Sequence, residues 1–303
     1  MPLRRAQTDS PFDATFLARL ERLVLAGKAI SAELRAGSRR AGRLGDGLEF
    51  ADHRPYAPGD DVRFVDWRYF ARRGRLVVRL FHEHSVNESC ILLDRSASMA
   101  PGGRFEKFDQ ARRCAAALAY VALAGGEPLS LTAFAEAPGA VHRPPPRRQS
   151  IFGVLDFLSS LSAGGGTNLT AAAEAVLQRP RMPGGVVILG DLLGCRDDLP
   201  DAIAHLSAAG CRVSLVHVYA PDEAEPQLSG PAEVCDVETG RRLSVEADEA
   251  LLKAYRQAWR RFADGCREAA VARGARYAAI RADAPIEQVL LRSLPAAGVL
   301  VGA

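Results

Sequence analysis

Apolar residues along this chain fall into two alternating kinds of run. Residues 90–93 and 186–189 are short and continuously apolar, the pattern of strands buried on both faces. Segments 105–124, 151–161, 169–179 and 199–209 carry helical patterning. Ile151, Leu155 and Leu158 share one side, and Gly125-Gly126 and Gly210 stop two of these helices. Residues 129–135, 213–219 and 277–280 supply further strands, and 285–294 a last helix. Residues 141–148, with three consecutive prolines, read as a loop or a sheet edge, and 220–231 as a polar loop. A β-hairpin is expected over 233–245, around Thr239-Gly240. Residues 251–273 form a long amphipathic helix with Leu252, Tyr255, Trp259, Phe262 and Cys266 on its core face. The alternation predicts an α/β fold: a Rossmann-like, doubly wound, mostly parallel sheet with helices on both faces.

The first 85 residues do not follow this rhythm. Ser10-Pro11-Phe12-Asp13 reads as a helix start, and the stripe Phe12, Phe16, Leu20, Leu23, Val24, Ile30 carries the helix to about Arg35. It must dock its apolar face, and its own domain is the expected place. A Gly- and Arg-rich loop over 37–47 follows. Pro58-Gly59 then suits the centre of a type II turn, with Asp60 or Asp61 capping a short helical turn that ends near Trp67. Arg54 and Arg63 alternate with Asp60 and Asp66, which points to ion pairs around Tyr56 and Trp67. Two readings stay open: a rigid surface clasp, or a partner-binding patch of Arg54, Tyr56, Arg63, Asp66 and Trp67, since Trp, Tyr and Arg anchor interfaces. A strand over 76–84 leads into the main sheet. The expected division is therefore 1–85, an N-terminal helix and extended module packed on the main domain, and 86–303, the α/β domain with a hairpin insertion at 232–247.

Charge changes this picture little. The net charge is +3, yet residues 1–82 hold 16 Lys and Arg against 10 Asp and Glu, leaving the rest net −3. Acidic residues are interleaved throughout the basic third, and no nucleic-acid recognition motif accompanies it, so nucleic acid is not an expected partner. No apolar run reaches the ~18 residues of a membrane helix. Nothing apolar follows Met1-Pro2-Leu3-Arg4-Arg5, so no signal peptide is expected and a cytoplasmic location follows. The six cysteines form no C-x-x-C pair and sit mostly in apolar surroundings, as reduced buried thiols do.

Candidate chemistry concentrates where the first buried strand ends, in Asp94-Arg95-Ser96-Ala97-Ser98. Ligands of parallel α/β sheets bind outside the carboxyl ends of strands, at a switch in strand order. The second buried strand ends in Gly190-Asp191, and Thr167 lies in the loop Gly164-Gly165-Gly166-Thr167-Asn168. No phosphate-binding G-x-x-x-x-G-K-[ST], no G-x-G-x-x-G after a strand and no G-x-S-x-G is present. A strand-end Asp nucleophile for phosphotransfer would need a second acid two residues on, and that position is Ser96.

Asp94, Ser96, Ser98, Thr167 and Asp191, in this order and on these elements, resemble the metal-ion-dependent adhesion site of von Willebrand factor A domains. Alone, Ser96 and Ser98 also read as caps of the following helix, and Asp191 as an ordinary strand end. A second resemblance is more specific. The stretch 50–67, with Arg54, Tyr56, Pro58-Gly59-Asp60, Arg63 and Asp66-Trp67, and the stretch Asp236-Val237-Glu238-Thr239-Gly240 are similar to the bacterial family known as domain of unknown function 58. That family joins this signature to a von Willebrand A-like domain. The resemblance implies Mg2+, or Mn2+ or Ca2+, held directly by Ser96 and Ser98, directly or through water by Thr167, and mostly through water by Asp94 and Asp191. It implies a protein partner that supplies an Asp or Glu to the ion. It further implies MoxR-type AAA+ ATPases and other von Willebrand A proteins as associates, in assembly or maturation of other proteins. The alternative is a Mg2+-dependent hydrolase or phosphotransfer enzyme at the same site. That would need a general base near the ion, for which only Asp191 and Glu106 stand close in sequence.

Overall fold

The computed structural model describes residues 12, 15–22, 49–58, 60–62, 65–82, 88–100, 106–237 and 240–299. They group into two compact units, one within 32–86 and one made of 1–31 with 87–303.

The small unit is an antiparallel ribbon of β1 (Glu49–Pro55) and β2 (Val77–His82), joined through the helix α1 (Trp67–Arg73). Asp60 N donates to Ala57 O (3.0 Å), while Gly59, one centre of the expected turn, lies outside the described residues. A 3-10 turn starts at Val62, after Asp61, and most of the short turn expected there lies outside the described residues; the helix that begins at Trp67 is a further element. Asp66 is its cap: its Oδ1 accepts from the backbone N–H groups of Arg68 (3.0 Å) and Tyr69 (2.9 Å). Gly74, at φ +65°, closes the helix with its N–H on Phe70 O (2.8 Å).

The large unit is built on a six-stranded sheet. Its strands are β3 (Ser89–Asp94), β4 (Leu129–Phe134), β5 (Pro138–His142), β6 (Gly185–Gly190), β7 (Arg212–Tyr219) and β10 (Arg276–Arg281). The spatial order is β10-β7-β6-β3-β4-β5, parallel except for the edge strand β5, which runs antiparallel to β4. The expected edge is thus a true strand. β8 (Gly230–Cys235) and β9 (Arg242–Ala247) form the expected hairpin apart from the sheet. Chain order reverses between β3 and β6, which makes that pair the topological switch point.

Side chains alternate across the central strands and divide the core in two. Ile91 and Leu93 enter one apolar cluster with α2 (Lys107–Ala124) and α3 (Ile151–Ser160). Phe16 and Leu20, on a helix over 15–22, belong to the same cluster. The expected ends of that helix, Ser10 and Arg35, lie outside the described residues. Cys90 and Leu92 enter the other cluster with α4 (Leu169–Leu177), α5 (Leu199–Ala208) and the buried end of α7 (Glu249–Val271). The fold is therefore the doubly wound α/β sheet the patterning predicts.

Two elements depart from expectation. Within the polar loop 220–231 a helical turn forms, α6 (Pro221–Ala224). Pro221 suits the first helical position, and the Glu223 Oε2 carboxylate accepts from Ala220 N (2.9 Å). Along α7 only Cys266 and Ala270 are fully buried, and Tyr255 is 42% exposed. The apolar stripe is real, but its first half lies beyond the edge of the sheet's cover. All six cysteines are free, and five are buried.

Asp66→Ala should weaken the small unit by about 1–2 kcal/mol, the usual value of a lost helix cap, and Asp66→Asn by less. Hydrogen exchange at the amides of Arg68 and Tyr69 reads this. Unchanged protection in the alanine variant would remove the cap from this account.

Candidate metal centre at the sheet switch point

Parallel pairing sets Leu93 opposite Leu189, so Asp94 and Gly190 follow side by side at the carboxyl ends of β3 and β6. The two strands then diverge, and a cleft opens where their loops leave on opposite faces. A Cβ on Gly190 would stand 2.7 Å from the Asp94 Cβ and 3.0 Å from its Oδ2. The missing side chain is what gives the Asp94 carboxylate its place. Asp191 comes next, and the chain turns at Leu192, which holds φ +60°. Such a conformation costs a non-glycine residue about 1–2 kcal/mol. Burial of the Leu192 side chain in the core holds it there. The turn brings Leu193 N onto Asp191 Oδ1 (3.1 Å), which fixes the carboxylate.

On the β3 side, Asp94 Oδ1 accepts from Ser96 N (2.8 Å), which curls the chain into a short 3-10 turn, Ala97–Met99. That curl brings Ser96 Oγ and Ser98 Oγ to 3.0 Å, and Ser98 Oγ donates to Asp191 Oδ1 at 3.3 Å. The Gly-rich loop is strapped to the same segment by two backbone bonds: Ala97 N to Gly165 O and Gly164 N to Arg95 O, both 2.7 Å. Gly165 sits at φ +82°, which a side chain would oppose. Asn168 then caps α4, its Oδ1 accepting from Ala171 N (2.9 Å). Thr167, between strap and cap, has its Oγ1 3.3 Å from Cys195 Sγ. Asp94, Ser96 and Asp191 are buried, while Ser98 and Thr167 are half-buried.

The structure therefore brings Ser96, Ser98 and Asp191 into direct contact, with Asp94 beneath them. Thr167 borders them through Cys195. Burial, and then the carboxylates of Asp94, Asp191 and Asp198, push the Cys195 thiol well above its ordinary pKa. The donor set fits a hard divalent cation. At the 2.0–2.1 Å bond lengths of Mg2+, neighbouring oxygens of an octahedron stand ~3.0 Å apart, close to the Ser96–Ser98 and Ser98–Asp191 spacings. Among the described residues, no group of three or more His, Cys, Asp or Glu side chains is placed to hold a metal ion, so a site here depends on its hydroxyl oxygens.

Two side chains not anticipated from sequence complete the cluster. Lys107, at the start of α2, is buried, and its Nζ donates to Asp191 Oδ2 (2.7 Å) and to Glu223 Oε1. Burial opposes the charge on Lys107, but Asp191 and Glu223 outweigh it and hold the ammonium above its ordinary pKa. Lys107 carried a signal in the sequence: it is one of three lysines in an Arg-rich chain and opens a long helix that is largely buried. Glu223 was hidden by reading 220–231 as a loop. Of the two acids named for a general base, Glu106 is raised first by its hydrogen bond with Asp109, and Asp191 is held by Lys107, Ser98 and Leu193.

In the small unit, Arg54 Nη2 donates to Asp60 Oδ1 (2.7 Å) and His53 Nε2 stands 3.1 Å from Asp66 Oδ2. Tyr56 N donates to Leu76 O (3.1 Å). Trp67 is 58% exposed and meets Phe70 edge-on at 6.4 Å. Arg63 lies outside the described residues.

The family model described as "Protein of unknown function DUF58" matches residues 52–264. The chain belongs to that family. It is 32% identical over 213 residues to "Uncharacterized protein Mb1516" of Mycobacterium bovis and equally to "Uncharacterized protein Rv1480" of Mycobacterium tuberculosis. Each match covers 68% of this chain and 66% of the relative. Among solved structures, the chain is similar to the conserved hypothetical protein BatB from Bacteroides thetaiotaomicron, at 15% identity and TM-score 0.42, over 71% of this chain and 100% of that one. It is also similar to the SpRpn10 VWA domain, at 9% identity and TM-score 0.38, over 68% and 93%.

Gly190→Ala should destabilise the large unit by about 1–3 kcal/mol, because the new methyl and Asp94 compete for one space. Gly185→Ala, on the same strand with its nearest neighbour at 3.7 Å, should change little. Urea denaturation midpoints compare the two, and equal midpoints would contradict the packing described.

Proposed function

We propose that this protein is a non-catalytic binding module in which a divalent ion, Mg2+ or its relatives Mn2+ and Ca2+, docks a partner protein through an Asp or Glu carboxylate. The observation that carries this reading is the octahedron-like spacing of Ser96 Oγ, Ser98 Oγ and Asp191 Oδ1 at the switch point of the sheet. Ser96 and Ser98 offer neutral oxygens, and Asp94 and Asp191 balance the ion's charge. Ser98 and Thr167 are only half-buried and are the members of the set a partner could reach. When bound, the ion supplies an electron-poor position for an anionic oxygen.

The family resemblance extends the reading to partners: a MoxR-type AAA+ ATPase and other von Willebrand A proteins, with the module as adaptor in the assembly or maturation of a client. No helix among the described residues is long and apolar enough to cross a membrane. A cytoplasmic location is part of this proposal.

Asp94→Ala should weaken Mg2+ binding at least about tenfold, the usual effect of losing a group that orients metal ligands. It should also abolish Mg2+-dependent capture of a MoxR-type ATPase from native lysate. Calorimetry and pull-downs with and without chelator check both. Capture that survives both the substitution and the chelator would falsify metal-mediated docking.

A further inference from the structure

The cluster at the switch point holds a cation of its own. Lys107 Nζ sits between Asp191 Oδ2 and Glu223 Oε1 with only 7% of its side chain exposed. Asp94, Asp191 and Glu223 carry three formal negative charges and Lys107 one positive, so a divalent ion would bring the group to neutrality. The ion and the ammonium would nevertheless meet at one carboxylate. Two cations drawn to one carboxylate in a partly buried site repel, and that repulsion weakens binding of the ion.

Glu223 provides the alternative seat. Its Oε2 is anchored by Ala220 N (2.9 Å), so its Oε1 stays in reach of a lysine that leaves Asp191. Lysine suits such a move, being a point charge on a flexible stem, where arginine's planar fork would hold both carboxylates at once. The chain uses arginine at nearly every other basic position.

We propose that Lys107 is a built-in competitor of the divalent ion. Its ammonium neutralises Asp191 while the ion is away and shifts onto Glu223 when the ion arrives. The affinity of the site is thereby kept weak and exchangeable, and its occupancy is tied to α6, which carries Glu223. This rests on the metal-docking reading above.

The test is calorimetric titration of Mn2+ alone into the full chain. K107M should bind at least about tenfold more tightly than wild type. K107M/E223L, which leaves no unpaired carboxylate at position 223, should also bind more tightly than wild type and guards against misfolding of the single variant. Hydrogen exchange over 221–224 should change on adding Mn2+ to wild type and not to K107M. Binding that Asp94→Ala abolishes but that both Lys107 variants leave unchanged or weaken would overturn the competitor role and leave the metal site standing. Altered exchange in K107M equal to that in wild type would overturn the link to α6. If wild type, K107M and K107M/E223L all lack Mn2+ binding sensitive to Asp94→Ala, both readings fail.

Discussion

The register between β3 and β6 is the constraint on which the site depends. Because Leu93 lies opposite Leu189, the aspartate that ends one strand's apolar run meets a glycine on the other. A parallel pair shifted by one residue would turn every side chain to the opposite face and put the Asp94 carboxylate against a different neighbour. With the register as it is, the carboxylate occupies the space a Cβ would have filled and has an oxygen left to curl the backbone at Ser96. The curl aligns two hydroxyls, and the strained turn at Leu192 carries the second carboxylate to meet them. Buried apolar packing on both faces of the sheet sustains that strain, as it does at many functional sites.

The surroundings of the cluster decide which ions it can favour. Cys195 and His217 both stand within electrostatic reach of Asp191, and either could have made this a softer site. Burial and the neighbouring carboxylates disfavour the Cys195 thiolate. His217 is lowered to about 4, first by burial and then by Lys107, and its Nδ1 is occupied with the Tyr277 hydroxyl at 2.7 Å. What remains at the cleft is hydroxyl and carboxylate oxygen. Hydroxyl and carboxylate oxygens are the donors a hard cation favours, and the neighbours of the cluster contribute to that character as much as its own residues do.

Much of this was legible from residue order alone. Continuous apolar runs at 90–93 and 186–189 marked the two central strands, and an aspartate after each marked the cleft. The chain's own punctuation, Gly125-Gly126 and the Gly-rich loop before Asn168, located the helices that frame it. Lys107 and Glu223 were not legible, because their partnership spans 116 positions and depends on the crossover that brings the end of β7 beside the start of α2. The helical turn around Glu223 was masked by its prolines and acids, which suit a loop and a helix start equally well. Tyr255 was placed in the core because periodicity reports a face, not how far the neighbouring sheet extends to cover it.

The signature of the small unit was open to two readings, a rigid clasp or an interaction patch, and Arg54, Asp60 and Asp66 all have local partners. Asp60 draws Arg54 and the Ala57 amide to itself and is held below the usual carboxylate range by those two bonds, the backbone bond first. Asp66 caps α1 and faces His53. These are the means by which a two-stranded ribbon, too small to bury a core, keeps one shape. The same bonds leave the Trp67 indole outward with Phe70 against its edge. An indole held from below by a capped helix loses little side-chain freedom on association, which is what makes rigid aromatics effective anchors.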